Sequence, residues 1–141
     1  MNFVLDASLA AAWCLDDESD VYSLGALRSL SSGGVMVPHL WGLEVANVLL
    51  VAERRGRIST EDVNRACTNL LSLPIAVDPV ARDRALTTVL RLARLHGLTS
   101  YDAAYLELAI RHDLSIATLD AALAVAAESE GVERWRPEEV G

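Results

Sequence analysis

The chain opens with NFVLDAS, from Asn2 to Ser8, and this stretch decides the fold class. An apolar run from Phe3 to Leu5 has the composition of a buried strand, and it stops at Asp6, where a helical pattern begins. A carboxylate at such a junction has two uses. It can accept hydrogen bonds from the first free N–H groups of a helix, or it can hold a ligand at the carboxyl end of a strand, where open α/β sheets bind their ligands.

The bulk composition narrows the possible functions. The length suits one domain spanning residues 1–141, and the longest apolar stretch, Val45–Ala52, is too short to cross a membrane. The net charge of −8 argues against a general nucleic-acid binder, although an enzyme can meet nucleic acid through metal ions and a local arginine patch. No basic residue precedes the first apolar run, so we expect a cytoplasmic protein with reduced, buried thiols at Cys14 and Cys67.

Apolar runs alternate with helical patterns along the chain, as they do in parallel α/β sheets. The predicted strands are Asn2–Asp6, VMVP ending at Pro38, LPIAVDP ending at Asp78, LSIAT, and a last edge strand within GVERWRP. The predicted helices are Ser8–Leu15, Glu18–Leu30, Leu40–Arg55, Ser59–Leu71, Pro79–His96, Tyr101–His112 and Asp120–Glu128. We therefore predict one α/β domain with a central parallel sheet and helices on both faces.

Four acids stand out at the junctions of this pattern. Asp6 ends the first strand, Asp120 follows the fourth by two residues, and Asp102 lies in the first turn of its helix. Glu44 has apolar neighbours, among which an unpaired acid is costly to bury. If the first and fourth strands are neighbours, these acids meet at one sheet edge, where repulsion raises their pKa values and a divalent cation relieves it. Oxygen ligands suit Mg²⁺ or Mn²⁺, and the chemistry implied is phosphodiester hydrolysis.

Four segments together resemble the PIN-domain ribonucleases, in particular the VapC-type toxins of prokaryotic toxin–antitoxin pairs. They are VLDASLAAAWCLDDE, PHLWGLEVANVL, TSYDAAYLELAIRHDLSIATLD and AALAVAAESEGV, and they cover nearly the whole chain in order. The resemblance implies a PIN-like fold and a Mg²⁺-dependent endoribonuclease, commonly a homodimer, that a small antitoxin protein silences. The acidic positions of that family correspond to Asp6, Glu44, Asp102 and Asp120, and its hydroxyl residue two places before the last acid corresponds to Thr118.

The resemblance also implies a role for each of these side chains. The residues expected to bind the metal are Asp6, Asp102 and Asp120. Glu44 is expected to hold a water of the metal or a second ion, and Thr118 to orient a neighbouring carboxylate or phosphate. Ser8 and Asn47 are further candidates for orienting a carboxylate or a water.

Other interpretations compete with this one. Taken singly, Asp6 and Asp120 are ordinary helix caps, Asp102 is an acid favoured by the helix dipole, and Glu44 is a partner for a core-facing arginine. The complete absence of lysine argues against haloacid-dehalogenase-like phosphatases, response-regulator receivers and P-loop enzymes. A DNA-directed nuclease and a non-catalytic PIN-like module that only binds protein both stay open, since an acidic cluster does not distinguish ribose from deoxyribose.

Overall fold

The computed structural model describes residues 1–15 and 20–137. Its strands are β1 (Phe3–Leu5), β2 (Val35–Pro38), β3 (Ile75–Asp78) and β4 (Ser115–Ala117). Its α-helices are α1 (Ala7–Cys14), α2 (Val21–Ser29), α3 (Trp41–Arg54), α4 (Thr60–Leu71), α5 (Arg82–Arg84), α6 (Leu90–His96), α7 (Ser100–His112) and α8 (Ala121–Ser129). A π-helical segment, Ala85–Val89, joins α5 to α6.

The four strands form one parallel sheet in the order β3-β2-β1-β4. The chain adds β2 and β3 on one side of β1 and then places β4 on the other, so the strand order reverses between β1 and β4. In open α/β sheets the carboxyl ends of the strands at such a reversal form the usual ligand site. Leu5 pairs with Ala117, so Asp6 and Thr118 follow side by side at this edge.

Strand β1 shows why the sheet needs helices on both faces. Phe3, Val4 and Leu5 are all 0% exposed, although successive side chains of a strand point to opposite faces. Strands buried on both faces are typical of parallel sheets covered by helices. Helix α7 packs against β1, β2 and β4, and its residues 103–109 are all buried. The predicted α/β fold, a central parallel sheet flanked by helices, is confirmed.

Two predicted helix starts differ from the structure by more than one residue. The helix predicted over Glu18–Leu30 is α2, which begins at Val21 because the Asp20 carboxylate accepts a hydrogen bond from the Ser23 N–H in a capping box; residues 16–19 lie outside the described ranges. The helix predicted from Pro79 begins only at Arg82, since the backbone is still extended at Ala81. These differences leave the order of the elements unchanged.

The edge strand predicted within GVERWRP is reduced to a single bridge between Ile116 and Arg134. Two backbone hydrogen bonds support it, from Ile116 N to Glu133 O at 3.0 Å and from Trp135 N to Ile116 O at 2.7 Å. The Trp135 ring then packs against Phe3 with 4.8 Å between ring centroids. The segment is therefore held by one bridge and by aromatic packing, and the predicted strand is not formed over its full length.

Two predictions concern the surface of the protein. Within the described ranges, no helix is both long and apolar enough to cross a membrane. The prediction of two buried thiols is wrong for Cys67, because this residue lies on α4, a helix of exposed and half-buried residues. Cys14, at the end of α1, is half-buried.

Candidate active site

Asp6 occupies the N-cap position of α1, but its carboxylate makes no capping hydrogen bond to that helix. Its Oδ2 instead accepts hydrogen bonds from Ser8 Oγ and Thr118 Oγ1, both at 2.7 Å. The residue is only 6% exposed. Two hydroxyl donors hold this buried carboxylate in one orientation, so its position is not explained by a need to start a helix.

Thr118 connects the two strand ends. It is 0% exposed, and its Oγ1 donates to Asp6 while accepting a hydrogen bond from the Asp120 N–H at 2.9 Å. Ser8 makes a parallel link, since its Oγ donates to Asp6 and accepts from the Leu119 N–H at 3.1 Å. These are the contacts expected of residues that orient a carboxylate.

Asp120 does cap the helix that follows it. Its Oδ1 accepts hydrogen bonds from the N–H groups of Ala122 at 2.9 Å and Leu123 at 3.2 Å, at the start of α8. Its Oδ2 takes part in neither bond, and the side chain is half-buried. For Asp120 the capping interpretation is therefore correct for one carboxylate oxygen, and the other oxygen lies outside the cap.

Glu44 lies in the first turn of α3 and is half-buried. Its partner is Tyr105, whose hydroxyl donates to Oε1 at 2.7 Å. An arginine was the partner considered from the sequence, and Tyr105 was missed. The signal was present, because Tyr105 follows Asp102 by three residues in α7, and residues at that spacing share one face of a helix. A fully buried tyrosine needs a partner for its hydroxyl.

The four acids affect one another electrostatically. Burial raises the pKa of Asp6, and the charges of Asp102 and Asp120 raise it further, against hydrogen bonds from the Ser8 and Thr118 hydroxyls that lower it. The structure therefore brings Asp6 within electrostatic range of two of the other predicted acids. Asp102 itself lies at the start of α7, where the Thr99 Oγ1 accepts its N–H at 3.1 Å.

The same causes act on Glu44 and Asp102. Burial raises the pKa of Glu44, and the charges of Asp6 and Asp102 add to the rise, while the Tyr105 hydrogen bond opposes it. Burial and the charge of Asp120 raise the pKa of Asp102, against a hydrogen bond from the Thr99 side chain. Each of the four predicted acids therefore lies within electrostatic range of at least two of the others.

The donor chemistry of this cluster fits a hard divalent cation. The side chains offer only carboxylate and hydroxyl oxygens, which Mg²⁺ and Mn²⁺ prefer. A cation also relieves the repulsion that raises the pKa values of three of the acids. Across residues 1–15 and 20–137, no three His, Cys, Asp or Glu side chains stand close enough together to coordinate one ion as they are. The fit is therefore one of donor type, burial and charge.

Two other features are the candidate residue Asn47 and a cavity. Asn47, a candidate for orienting a carboxylate, is exposed on α3. A cavity of about 860 Å³ lies against α1, α2 and α4, and Trp13, Leu27 and Leu70 are among its lining residues. None of the four acids lines this cavity in the described part of the chain. This cavity and the concentration of charge are thus two separate regions of the molecule.

Comparison with known proteins gives consistent matches. Residues 3–129 match the family model of the PIN domain. The chain is 33% identical over 125 residues to Ribonuclease VapC3 of Pyrobaculum aerophilum. The alignment covers 88% of this chain and 93% of that protein. The crystal structure of PAE2754 from Pyrobaculum aerophilum is similar with a TM-score of 0.72 at 25% identity, covering 95% of this chain and 83% of that one. VapC20 of Mycobacterium tuberculosis, described as a sarcin–ricin loop cleaving toxin, shares the fold with a TM-score of 0.64 at 19% identity, covering 95% and 98%.

Proposed function

This chain belongs to the PIN-domain family, and from that premise we propose that it is a metal-dependent endoribonuclease that hydrolyses RNA phosphodiester bonds. The observation that carries the proposal is the Asp6 carboxylate. It is buried and accepts hydrogen bonds from two hydroxyls, and it makes no capping hydrogen bond to α1. The charges of Asp102 and Asp120 act on it and raise its pKa beyond the effect of burial. A fold has no structural need for mutually repelling carboxylates at one sheet edge, whereas a site that neutralises them with a cation does.

Mg²⁺, or Mn²⁺ in its place, would be held by Asp6, Asp102 and Asp120. When bound, such an ion stabilises charge on phosphoryl oxygens and acidifies a coordinated water. The chain's own residues prepare the site: Ser8 and Thr118 fix Asp6, and Tyr105 fixes Glu44 through Oε1. The second oxygen of Glu44 would hold a water, and burial together with the charges of Asp6 and Asp102 raises the pKa of this carboxyl above its usual value.

The proposal includes the biological setting of a toxin. The chain would act as a single nuclease domain in the cytoplasm, on RNA, until a small antitoxin protein binds and silences it. This part is supported by family membership and by the named relative Ribonuclease VapC3. It predicts that expression of the wild-type chain arrests growth of a bacterial host, whereas the Asp6→Asn variant does not.

We also infer a homodimer, supported by the exposed side of α3. Leu43 is 74% exposed and Leu50 is 37% exposed, and the residues between them on that side, Ala46 and Asn47, are exposed too. Positions i, i+3, i+4 and i+7 form one stripe along a helix. A mostly apolar stripe of this kind suits a second copy of the chain, so light scattering should report a dimer for the wild type and a monomer for Leu43→Glu.

The direct test is cleavage of a mixed pool of structured RNAs by the purified protein. Reactions would contain Mg²⁺, Mn²⁺ or excess EDTA, and a parallel set would offer single-stranded DNA of the same sequences. We expect discrete RNA fragments that require metal. Cleavage of DNA alone would contradict the ribonuclease proposal and support a DNA-directed nuclease. Absence of both cleavage and metal binding would support a protein-interaction module.

The test needs a matched pair of variants. Asp6→Asn removes the charge at the site, and Asp83→Asn removes the same charge from a side chain that is 90% exposed. We expect the first variant to be inactive and the second to cleave like the wild type. Equal activity of Asp6→Asn and wild type would contradict the role proposed for Asp6.

A further inference from the structure

The C-terminal segment, residues 131–137, lies beyond the part of the chain that matches the PIN family model. It nevertheless reaches the acidic cluster. The guanidinium of Arg134 donates two hydrogen bonds to the backbone carbonyl of Thr118, from Nε at 3.2 Å and from Nη2 at 2.9 Å. Thr118 is the residue whose hydroxyl holds Asp6. A residue outside the family match is therefore one contact away from the centre of the site.

Arg134 is itself held in place. Its guanidinium lies over the ring of Tyr22 from α2, 3.9 Å from the centroid, at a distance that favours a cation–π contact. The Tyr22 hydroxyl donates to the carbonyl of Trp135 at 2.7 Å, and the Trp135 ring packs on Phe3 of β1. Contacts from α2, β1 and the C-terminal segment thus hold the guanidinium in place.

These contacts fix both ends of one peptide unit. The carbonyl of Thr118 accepts from Arg134, and the N–H of the same peptide, which belongs to Leu119, donates to Ser8 Oγ. A peptide bond is planar, so holding its oxygen and its nitrogen sets the orientation of the whole unit. Thr118 contributes the carbonyl of this unit, and Asp120 follows it in the chain after Leu119. Arg134 and Ser8 together therefore restrain the backbone that carries the Thr118 hydroxyl and leads into Asp120.

We propose that Arg134 is a positioning residue for the acidic site, acting through the Thr118–Leu119 peptide. Its effect on RNA cleavage rests on the proposed function, but its effect on the geometry of the site does not. A role confined to anchoring the C-terminal segment is the competing explanation. That role predicts loosening at Ile116 and Trp135 only, where the segment meets β4.

The test compares Arg134→Gln with Arg136→Gln, which removes the same charge from an exposed arginine in the same segment. The first readout is amide hydrogen exchange without metal or RNA. We expect Arg134→Gln to speed exchange at Leu119 and Asp120, whose N–H groups donate to the Ser8 and Thr118 hydroxyls, and Arg136→Gln to leave both unchanged. The second readout is Mn²⁺ affinity by calorimetry, where we expect about a tenfold loss for Arg134→Gln only, as for other groups that orient metal ligands.

A third readout is RNA cleavage, where Arg134→Gln should lower kcat about tenfold and leave KM unchanged, since Arg134 acts on the site and not on bound RNA. Arg134→Lys, which keeps the charge but cannot make both hydrogen bonds, should recover part of each loss, and it replaces Arg134→Gln if that variant does not fold. Unchanged exchange at Leu119 and Asp120 together with unchanged Mn²⁺ affinity would overturn the proposal. Failure of the wild type to cleave RNA would instead overturn the proposed function, because exchange and Mn²⁺ affinity are measured without RNA.

Discussion

Asp6 and Asp120 occupy equivalent positions in the sequence, but their carboxylates have different hydrogen-bond partners. Each follows a strand, β1 or β4, and each is the N-cap residue of the next helix. The Asp120 carboxylate accepts two backbone N–H groups of α8, whereas the Asp6 carboxylate accepts none from α1 and is held by two side-chain hydroxyls. The same residue type at the same kind of junction is thus a cap in one case and a positioned acid in the other.

The difference shows how a carboxylate held only by side chains differs from one that also caps a helix. A capping carboxylate obtains its hydrogen bonds from the helix that it starts, so its place needs no further explanation. Asp6 obtains its hydrogen bonds from Ser8 and from Thr118, 112 residues away in sequence. Burying a charge near other charges of the same sign costs stability, so the position of Asp6 calls for an explanation other than capping.

The largest expected effect is that of Asp6→Asn on RNA cleavage. Asparagine keeps an oxygen that can accept from Ser8 and Thr118, but it removes the negative charge. We expect cleavage to fall about 1000-fold, equivalent to about 4 kcal/mol of transition-state stabilisation, with the fold retained in circular dichroism. A rate within a few-fold of the wild type would contradict the metal-binding role proposed for Asp6.

Substitutions of Asp120 separate its capping role from its role in the site. Asparagine caps helices about as well as aspartate, so Asp120→Asn should leave the free energy of unfolding nearly unchanged, whereas Asp120→Ala should lower it by about 1 kcal/mol. Both should reduce cleavage about 100-fold, less than Asp6→Asn, because only the Oδ2 oxygen lies outside the cap. Wild-type cleavage by Asp120→Asn would reduce this residue to a cap.

The order of the elements could be predicted because hydrophobic patterning is local. The run Phe3–Leu5 and the helix ends at Gly56 and Gly97 carry their signals within a few residues, and both glycines adopt the left-handed conformation. The boundary at Arg82 could not be predicted, since no side chain caps this helix start. The π-helical segment after it packs against α7, a long-range contact that a local pattern does not reveal. The prediction of an edge strand within GVERWRP was wrong in extent, because the segment pairs with Ile116 at a single bridge and its other contacts are those of the Trp135 ring with Phe3 and Tyr22.

The four acids could be predicted because strand ends and family positions mark them. Their partners were harder to identify, since a hydrogen-bond partner can lie anywhere in the chain. Tyr105 reaches Glu44 across 61 residues, and Arg134 reaches Thr118 from a segment with no strand of its own. Sequence position shows which residues carry charge, and only the packed structure shows which neutral groups orient them.

Removal of the Thr118 hydroxyl, which links Asp6 to the backbone of Asp120, should have a smaller effect on cleavage. Thr118→Val keeps the shape of the side chain but leaves the Asp120 N–H without its acceptor and Asp6 with one hydroxyl donor. We expect a loss of about 1–3 kcal/mol in the free energy of unfolding and of about tenfold in cleavage. Thr118→Ser, which keeps the hydroxyl, is the control and should retain most of both; equal losses in the two variants would assign the effect to packing.

The smallest effect is on stability as a function of pH, measured by urea unfolding in EDTA between about pH 3 and pH 8. Because the pKa of Asp6 is raised in the folded protein, the unfolded chain releases this proton first, at about pH 3.9. The wild type therefore loses stability relative to Asp6→Asn as the pH rises from there to the raised pKa, and the difference is constant above it. Asp62→Asn should show the opposite sign, because hydrogen bonds from Ser59 hold the pKa of Asp62 below its usual value. Parallel curves for the wild type and Asp6→Asn would contradict a raised pKa of Asp6 and mean that the Ser8 and Thr118 hydrogen bonds offset burial and the neighbouring charges.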